Sequence, residues 1–200
     1  MNATHSVEFF DRQFRQAAGE AALQLNPFEQ TALPHLNGEL LDYGCGLGNL
    51  SFAAAARGCR VEALDASPAA IEHVSRRAAA EGAAVSAALA DLSQHTLERD
   101  YDTIAAIGLL MFFDCQTALR VLAQLQAHVR PGGVLAVNVL IEGTSFMDMF
   151  DPQQHCLFAP QQLREAFAGW TLLHDEIQEF PAPHGTVKRF STVIARRPAA

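Results

Sequence analysis

The chain has 200 residues, of which half are hydrophobic, and it carries a formal net charge of −8. A single domain of this size can bury about 70% of the surface that its unfolded chain exposes. The acidic balance makes nucleic acid a poor partner, and no apolar run reaches the ~18 residues that a membrane span requires. We therefore expect one globular domain over residues 1–200.

The N-terminal part predicts helices that cap the domain. Phe9, Phe10 and Phe14 mark a first helix, and residues 28–36 continue this part, so residues 1–36 are expected to be cap helices. The segment lacks the basic and apolar regions of a signal peptide, which favours a cytoplasmic protein. The sequence is compatible with a monomer or a homodimer.

The cysteines and histidines indicate no metal site. The eight histidines are scattered along the chain. The four cysteines have no metal-binding spacing and are expected to be reduced thiols; they are Cys45, Cys59, Cys115 and Cys156.

A glycine-rich loop follows the first predicted strand, residues 39–43. Gly44, Gly46 and Gly48 alternate there, and a helix-prone run comes next. Glycines allow a tight turn and a close approach to a ligand, and the free N–H groups of the helix point at the same place. The alternative is a tight turn with no ligand.

The neighbours of the loop favour one kind of ligand. A dinucleotide fingerprint requires glycine where Asn49 stands, and the carboxylate of Asp42 would repel a pyrophosphate. A carboxylate there suits a ligand with an ammonium group and no phosphate, such as S-adenosylmethionine (SAM).

Two more acidic residues end the next two strands. Asp65 ends the strand over residues 60–65, at the distance from the loop where a doubly wound sheet binds ribose hydroxyls. Asp91 ends the strand over 84–90 and could accept a hydrogen bond from the adenine amino group. The alternatives are local: Asp65 as a turn residue before the helix that Ser67 caps, and Asp91 as the cap of a short helix over 92–97.

The remaining elements predict a parallel sheet. Strand four covers residues 103–107, a helix starts after Asp114, and Pro131-Gly132-Gly133 ends that helix and begins strand five at 134–141. A helix is expected from Pro160 to Gly169, and residues 170–179 and 186–195 form an antiparallel hairpin. Alternating strands and helices place ligands at the carboxyl edge of the sheet.

Together these residues resemble the class I SAM-dependent methyltransferases. The motifs are the loop 42–48, Asp65, Asp91, the start of strand four at Tyr101, and the run 130–133. The resemblance implies an α/β, doubly wound, Rossmann-like fold with a seven-stranded mixed sheet. Its order is 3-2-1-4-5-7-6, with the last strand antiparallel and helices on both faces.

The resemblance also implies which residues bind the cofactor SAM. These are Asp42, Tyr43, Gly44, Cys45, Gly46, Asn49, Asp65, Ala66, Asp91, Leu92, Gly108 and Leu109. Arg12 or Arg15 of the first helix could meet the SAM carboxylate.

A closer resemblance is to the tellurite-resistance (TehB-like) methyltransferases, over residues 40–197. Besides Asp91-Leu92 and the run 130–133, it rests on residues 110–113, Phe158, Leu163-Arg164, Gly169-Trp170 and residues 188–192. That family carries a basic segment with a His-Arg pair before the last strand, implicated in acceptor chemistry. Here the segment contains His184 without an adjacent arginine, so the acceptor stays open.

The acceptor side is expected after strand five. Residues 142–158 are a long, apolar, irregular connection and predict an acceptor-site lid; the alternative is a flap packed permanently on the sheet. Phe112 is expected beside the methyl-transfer site. His184 is the candidate catalytic base, with Lys188 and Arg189 assisting electrostatically; the alternative is a solvated turn residue.

The sequence thus predicts an enzyme, a SAM-dependent methyltransferase acting on a small soluble acceptor. Candidates are a chalcogen oxyanion, such as tellurite or selenite, and a thiol. A SAM-binding protein without catalysis is one alternative. A NAD-dependent oxidoreductase is another, but neither Tyr43 nor Tyr101 has the Tyr-x-x-x-Lys partner that one large branch of that class needs.

Overall fold

A computed structural model describes residues 5–16, 24–152 and 154–199. Its described part contains seven strands: β1 Glu39–Tyr43, β2 Arg60–Asp65, β3 Val85–Leu89, β4 Tyr101–Ile107, β5 Val129–Leu140, β6 Thr171–Pro181 and β7 Val187–Arg196. The α-helices there are α1 His5–Gln16, α2 Pro27–Ala32, α3 Asn49–Ala55, α4 Pro68–Glu81, α5 Cys115–Ala127 and α6 Gln162–Ala166.

The strands form one sheet in the order β3-β2-β1-β4-β5-β7-β6. The first five strands in this order are mutually parallel, and β7 runs antiparallel to both of its neighbours. The predicted fold class and strand order are therefore confirmed. Because β1, β4 and β5 are adjacent, their carboxyl ends meet where the predicted ligand loop leaves β1.

Helices cover the sheet on both faces. On one face, Leu50 of α3 and Val74 of α4 pack against Leu40 and Ala63 of the sheet. On the other face, the core contains Val121 and Leu122 of α5, Leu163 of α6 and Ile104 of β4. The strands between the two layers are buried on both sides, which explains the continuous apolar runs in β4 and β5.

The start of β5 differs from the prediction. The strand begins at Val129 rather than at residue 134, because Val129 pairs with Tyr101 and the backbone of Gly132 and Gly133 bonds to residues after β7. A Cβ on Gly133 would lie 2.6 Å from the carbonyl oxygen of Asp102. Glycine is therefore needed there for a close approach between strands, and not for a turn that starts the strand.

Other boundaries also shift. The helix predicted between Pro160 and Gly169 covers only Gln162–Ala166, and no helix forms over residues 92–97. The Asp114 carboxylate caps α5 as predicted, accepting a hydrogen bond from the Thr117 amide at 3.0 Å.

The prediction of four reduced thiols is wrong for two cysteines. Cys115 and Cys156 form a disulfide, whereas Cys45 and Cys59 are free and buried. Cys115 is the first residue of α5, and Cys156 lies near the end of the connection after β5. The pairing depends on how these two elements pack together, which a spacing of 41 residues does not reveal.

Candidate functional site

The glycine loop lies at the carboxyl end of β1 and is held in place by backbone bonds. The amides of Gly44 and Cys45 both donate to the carbonyl of Leu64, at 2.8 and 3.0 Å. Gly44, Gly46 and Gly48 all have positive φ angles, which glycine adopts without strain. Gly48 then caps the N-terminus of α3 in the left-handed conformation.

The loop is covered closely from two sides. A Cβ on Gly44 would lie 3.1 Å from the side chain of Leu109, and a Cβ on Gly46 would lie 3.3 Å from the ring of Phe14. The end of β4 and the helix α1 therefore both approach the loop. Gly108, beside Leu109, has a φ of +69° and donates its amide to the Asn138 carbonyl at 3.0 Å.

Asp65 faces the glycine loop from the end of β2. Its two carboxylate oxygens accept hydrogen bonds from the amides of Gly46 and Ser67, each at 2.8 Å. Burial raises the pKa of this carboxyl, and the backbone hydrogen bonds oppose the shift. Each oxygen has a second lone pair, so the oriented carboxylate can also accept bonds from two vicinal hydroxyls. Ala66 follows, half-buried.

Asp42 lies deeper, at the end of β1. Its side chain is buried and accepts a hydrogen bond from the Ser51 hydroxyl at 2.6 Å. Burial raises its pKa to about 7, and the nearby charges of Glu29 and Asp65 act in the same direction. Ser51 and Glu29 were not predicted as site residues. The only sequence signal for Ser51 is its position in the helix after the loop, nine residues after Asp42.

Three other predicted cofactor residues lie in or next to the loop. The Tyr43 ring is fully buried, and its hydroxyl donates to the carbonyl of Leu92 at 2.8 Å, so only its backbone can face a ligand. Burial raises the pKa of the Cys45 thiol well above its usual value. Asn49 donates from its side-chain amide to the carbonyl of Gln24 at 3.2 Å.

Asp91 forms a turn rather than capping a helix. One of its carboxylate oxygens accepts bonds from the amide and the hydroxyl of Ser93, at 3.1 and 2.6 Å. The amide of Ala90 donates to the carbonyl of Asp65 at 3.0 Å, which brings the ends of β2 and β3 together. The structure therefore gathers Asp42, Asp65 and Asp91 at the ends of three neighbouring strands.

Helix α1 is fixed to the start of α4 by Asp11, which the sequence analysis did not identify. The Asp11 carboxylate accepts bonds from the Ser67 hydroxyl at 2.6 Å and from the Ala69 amide at 3.0 Å. The hydrogen bond from Ser67 is the main cause that lowers the pKa of Asp11. Arg15 pairs with the same carboxylate at 2.8 Å, whereas Arg12 is exposed.

A line of aromatic side chains joins the glycine loop to the connection after β5. Successive ring centroids lie 6.0 Å apart from Phe14 to Phe10, 5.1 Å to Phe112, 5.2 Å to Phe150 and 5.3 Å to His155. We call these five side chains the aromatic row. It begins beside Gly46 and continues past Phe112, which follows β4, so it lies at the carboxyl edge of the sheet.

The connection 142–158 is anchored at both ends. At its start, the amides of Ser145 and Phe146 donate to the Val187 carbonyl, at 2.9 and 3.2 Å, and the Arg189 amide donates to the Thr144 hydroxyl. At its end, the Cys156 amide donates to the Met111 carbonyl at 3.0 Å.

The Phe158 amide donates to the Leu140 carbonyl, and the Phe158 carbonyl accepts a hydrogen bond from the Glu142 amide. These two bonds and the disulfide complete the attachment of that end. Both ends therefore extend the sheet. Among the described residues of its middle part, 147–152 and 154–155, no backbone hydrogen bond to a strand is found.

The three predicted catalytic residues occupy different environments. His184 is exposed in the turn between β6 and β7, with a φ of 60°, and within the described residues it makes no side-chain hydrogen bond or ion pair. Lys188 places its ammonium nitrogen 4.4 Å from the ring centroid of Phe146, and burial lowers its pKa. Arg189 donates to the Glu142 carbonyl at 3.1 Å and pairs with Glu179 at 3.4 Å.

In the described part of the chain, no group of three or more His, Cys, Asp or Glu side chains is arranged to hold a metal ion. Among the same residues, no helix has both the length and the apolar character needed to cross a bilayer.

Comparison with known proteins agrees with the geometry. Residues 40–133 match the family model described as methyltransferase domain. Hemagglutinin 1 of Eikenella corrodens is 32% identical over 169 residues, which are 79% of this chain and 54% of that protein. A probable S-adenosyl-L-methionine-dependent methyltransferase TehB of Haemophilus influenzae (strain 10810) is 25% identical over 166 residues, 80% of this chain and 57% of that protein.

The crystal structure of TehB from Haemophilus influenzae has a similar fold, with a TM-score of 0.73 and 19% identity over 96% of this chain and 67% of that one. This chain spans a little over half the length of the two curated relatives, at 54% and 57%. The predicted resemblance to the TehB-like, class I SAM-dependent methyltransferases is confirmed by these matches.

Proposed function

We propose that this chain, which carries a methyltransferase domain similar to the TehB-like enzymes, transfers the methyl group of SAM to a small soluble acceptor. The observation that carries the proposal is the geometry of Asp65. Its carboxylate is oriented by the amides of Gly46 and Ser67, each at 2.8 Å, so that it faces the glycine loop from the next strand. Such an arrangement suits the two hydroxyls of a ribose.

The proposed cofactor site follows the ends of four strands, β1 to β4. Asp42 and the backbone at Gly108 would hold the ammonium end, Asp65 the ribose, and Asp91 the adenine amino group. The full set of proposed contacts is Asp42, Tyr43, Gly44, Cys45, Gly46, Asn49, Asp65, Ala66, Asp91, Leu92, Gly108 and Leu109. When bound, SAM supplies a methyl group on a positively charged sulfur.

The residues around the site would act by alignment and by exclusion of water. In methyl transfer the acceptor atom attacks in line with the departing sulfur, so correct positioning alone can contribute several kcal/mol. Phe112 lies in the aromatic row next to the end of β4, where its ring can face the sulfonium. A contact of this kind contributes about 1 kcal/mol.

We propose that the acceptor approaches from residues 142–158, with Lys188 and Arg189 on its side of the sheet. Lys188 lies over Phe146, and Arg189 binds the Glu142 carbonyl, so both contact this connection. His184 is proposed as the general base only for an acceptor that must lose a proton from nitrogen or oxygen. Its exposed turn requires that the acceptor reach the tip of the hairpin.

Titration calorimetry with SAM and with NAD tests the cofactor assignment. We expect binding of SAM and no binding of NAD, because the buried carboxylate of Asp42 would repel a diphosphate. A protein that binds NAD instead would refute the proposal.

Measuring the release of S-adenosylhomocysteine distinguishes a methyltransferase from a protein that binds SAM without catalysis. SAM binding without release for any acceptor in a panel of thiols, oxyanions, halides and amines would favour that alternative.

A further inference from the structure

We propose that the acceptor is a small thiol that is uncharged in solution at neutral pH, rather than an oxyanion or an amine. The inference rests on the proposed methyl-transfer function and names the substrate class of the same site. It follows from the side chains and charges of the connection 142–158 and of the residues packed against it, next to the aromatic row.

The methionines of the described chain gather at one place. Met111 and Met149 are 3% and 7% exposed, and they form a buried cluster with Leu140 and Phe150, against which Met147 packs. We call these five residues the acceptor cluster. Thioether sulfur is polarisable and makes favourable contacts with aromatic rings and with other soft atoms. The cluster therefore matches a soft, largely apolar acceptor atom such as sulfur.

The charges of the connection oppose an oxyanion. Residues 142–158 contain Glu142, Asp148 and Asp151 and no lysine or arginine. Their negative charge would repel a tellurite or selenite ion, which must also release water from its oxygen atoms to bind beside this connection. Burial of such an ion without several donors costs many kcal/mol, which this connection does not offset.

The cations next to the connection suit a single anionic atom. Arg189 binds the Glu142 carbonyl and pairs with Glu179. Lys188 contacts the ring of Phe146. One ammonium group over a ring can stabilise one sulfur anion, and it would repel the cationic form of an amine.

The reaction balances without a further reactant. The thiol loses its S–H proton to solvent, and a sulfur lone pair forms a bond to the methyl carbon. The bond between that carbon and the sulfonium sulfur breaks, and its electron pair stays on the sulfur of the departing thioether. Because a negative thiolate and a positive sulfonium become two neutral thioethers, apolar surroundings favour the transition state.

The decisive experiment measures S-adenosylhomocysteine release by the full chain with ethanethiol, sodium selenite, sodium tellurite and ethylamine. We expect kcat/KM for ethanethiol to exceed each of the others by about tenfold or more. A higher kcat/KM for either oxyanion or for ethylamine would overturn the inference while leaving the methyltransferase function intact. Absence of SAM binding in calorimetry would instead refute the proposed function.

A matched pair of variants tests whether the charge of the connection selects the acceptor. The side chain of Met147 is half-buried and makes no hydrogen bond within the described residues, so Met147→Arg adds a cation to the connection and Met147→Gln adds a neutral polar group of similar length. We expect Met147→Arg to raise the ratio of selenite to ethanethiol turnover by about tenfold over Met147→Gln, as one close charge contact would. An equal ratio in the two variants would show that charge does not select the acceptor.

Discussion

The assignment of Asp65 to the ribose can be tested by Asp65→Asn. The native carboxylate accepts amide hydrogen bonds from Gly46 and Ser67, both at 2.8 Å, and has two lone pairs left for a ligand. Asparagine keeps one acceptor oxygen and replaces the other by an NH₂ group, which faces an amide donor. The variant therefore loses a charged acceptor for at least one hydroxyl and distorts the loop locally.

The expected loss of SAM affinity follows from these contacts. A hydrogen bond to a charged group contributes about 1.5–3 kcal/mol, and asparagine retains part of it, so we expect a loss of about 1–3 kcal/mol. This corresponds to a Kd that rises about 5- to 150-fold. Titration calorimetry with SAM and with adenosine measures the change. Both ligands should lose the same free energy, because both contain the ribose.

Asp102→Asn is the matched control. Asp102 also accepts a backbone hydrogen bond, from the Glu39 amide at 2.8 Å, but it lies at the amino edge of the sheet and pairs with Arg130. We expect Asp102→Asn to lose stability without any change in SAM affinity. Equal SAM affinity in Asp65→Asn and the native protein would refute the ribose assignment, and so would a loss for SAM that adenosine does not share.

Three further results are expected. Burial raises the pKa of Asp42 to about 7, above its unfolded value of about 3.9, so ionisation of this carboxyl costs stability progressively between these two pH values. Urea unfolding should therefore show the native protein losing stability relative to Asp42→Asn from pH 4 to 7. A difference in stability that stays constant over this range would contradict the burial argument. The Cys115–Cys156 disulfide closes a span of 41 residues, so chain entropy predicts that the free energy of unfolding of the oxidised native protein exceeds that of Cys115→Ser by up to about 4 kcal/mol. The reduced native protein should have the same stability as the variant. Four titrating thiols in the denatured, unreduced protein would disprove the pairing. His184→Gly should raise the melting temperature, because the φ of 60° suits glycine. In the same variant, a fall in kcat with an amine acceptor would support His184 as the base, and an unchanged kcat would exclude that role.

Much of the fold was accessible from the sequence because each element carries its own signal. Pro68 after the cap Ser67 located α4, and the alternation of apolar segments located the parallel strands. The acids at the strand ends predicted a ligand site at that edge of the sheet. The resemblance supplied the position of β7, which no local pattern fixes. The start of β5 was missed because Pro131 and the glycines after it indicate a turn. In the structure Val129 already pairs with Tyr101, and residues 130–133 are an irregularity within the strand before pairing resumes at Val134.

The parts that were missed depend on contacts between distant residues. Asp11 binds Ser67 across more than fifty positions, and an acid in an exposed amphipathic helix gives no sign of such a partner. The disulfide arises in the same way, from the packing of α5 on the connection after β5. His184 lies in the turn with a φ of 60°, whereas Lys188 and Arg189 belong to β7, so this basic segment of the sequence is divided between two elements.

The position of α1 has a consequence for any ligand at the glycine loop. The same helix rests Phe14 against the loop at Gly46 and Phe10 against Phe112, and Asp11 attaches it to α4. Any ligand that binds at the loop would therefore lie against this helix, which its contact through Asp11 holds in place beside the loop.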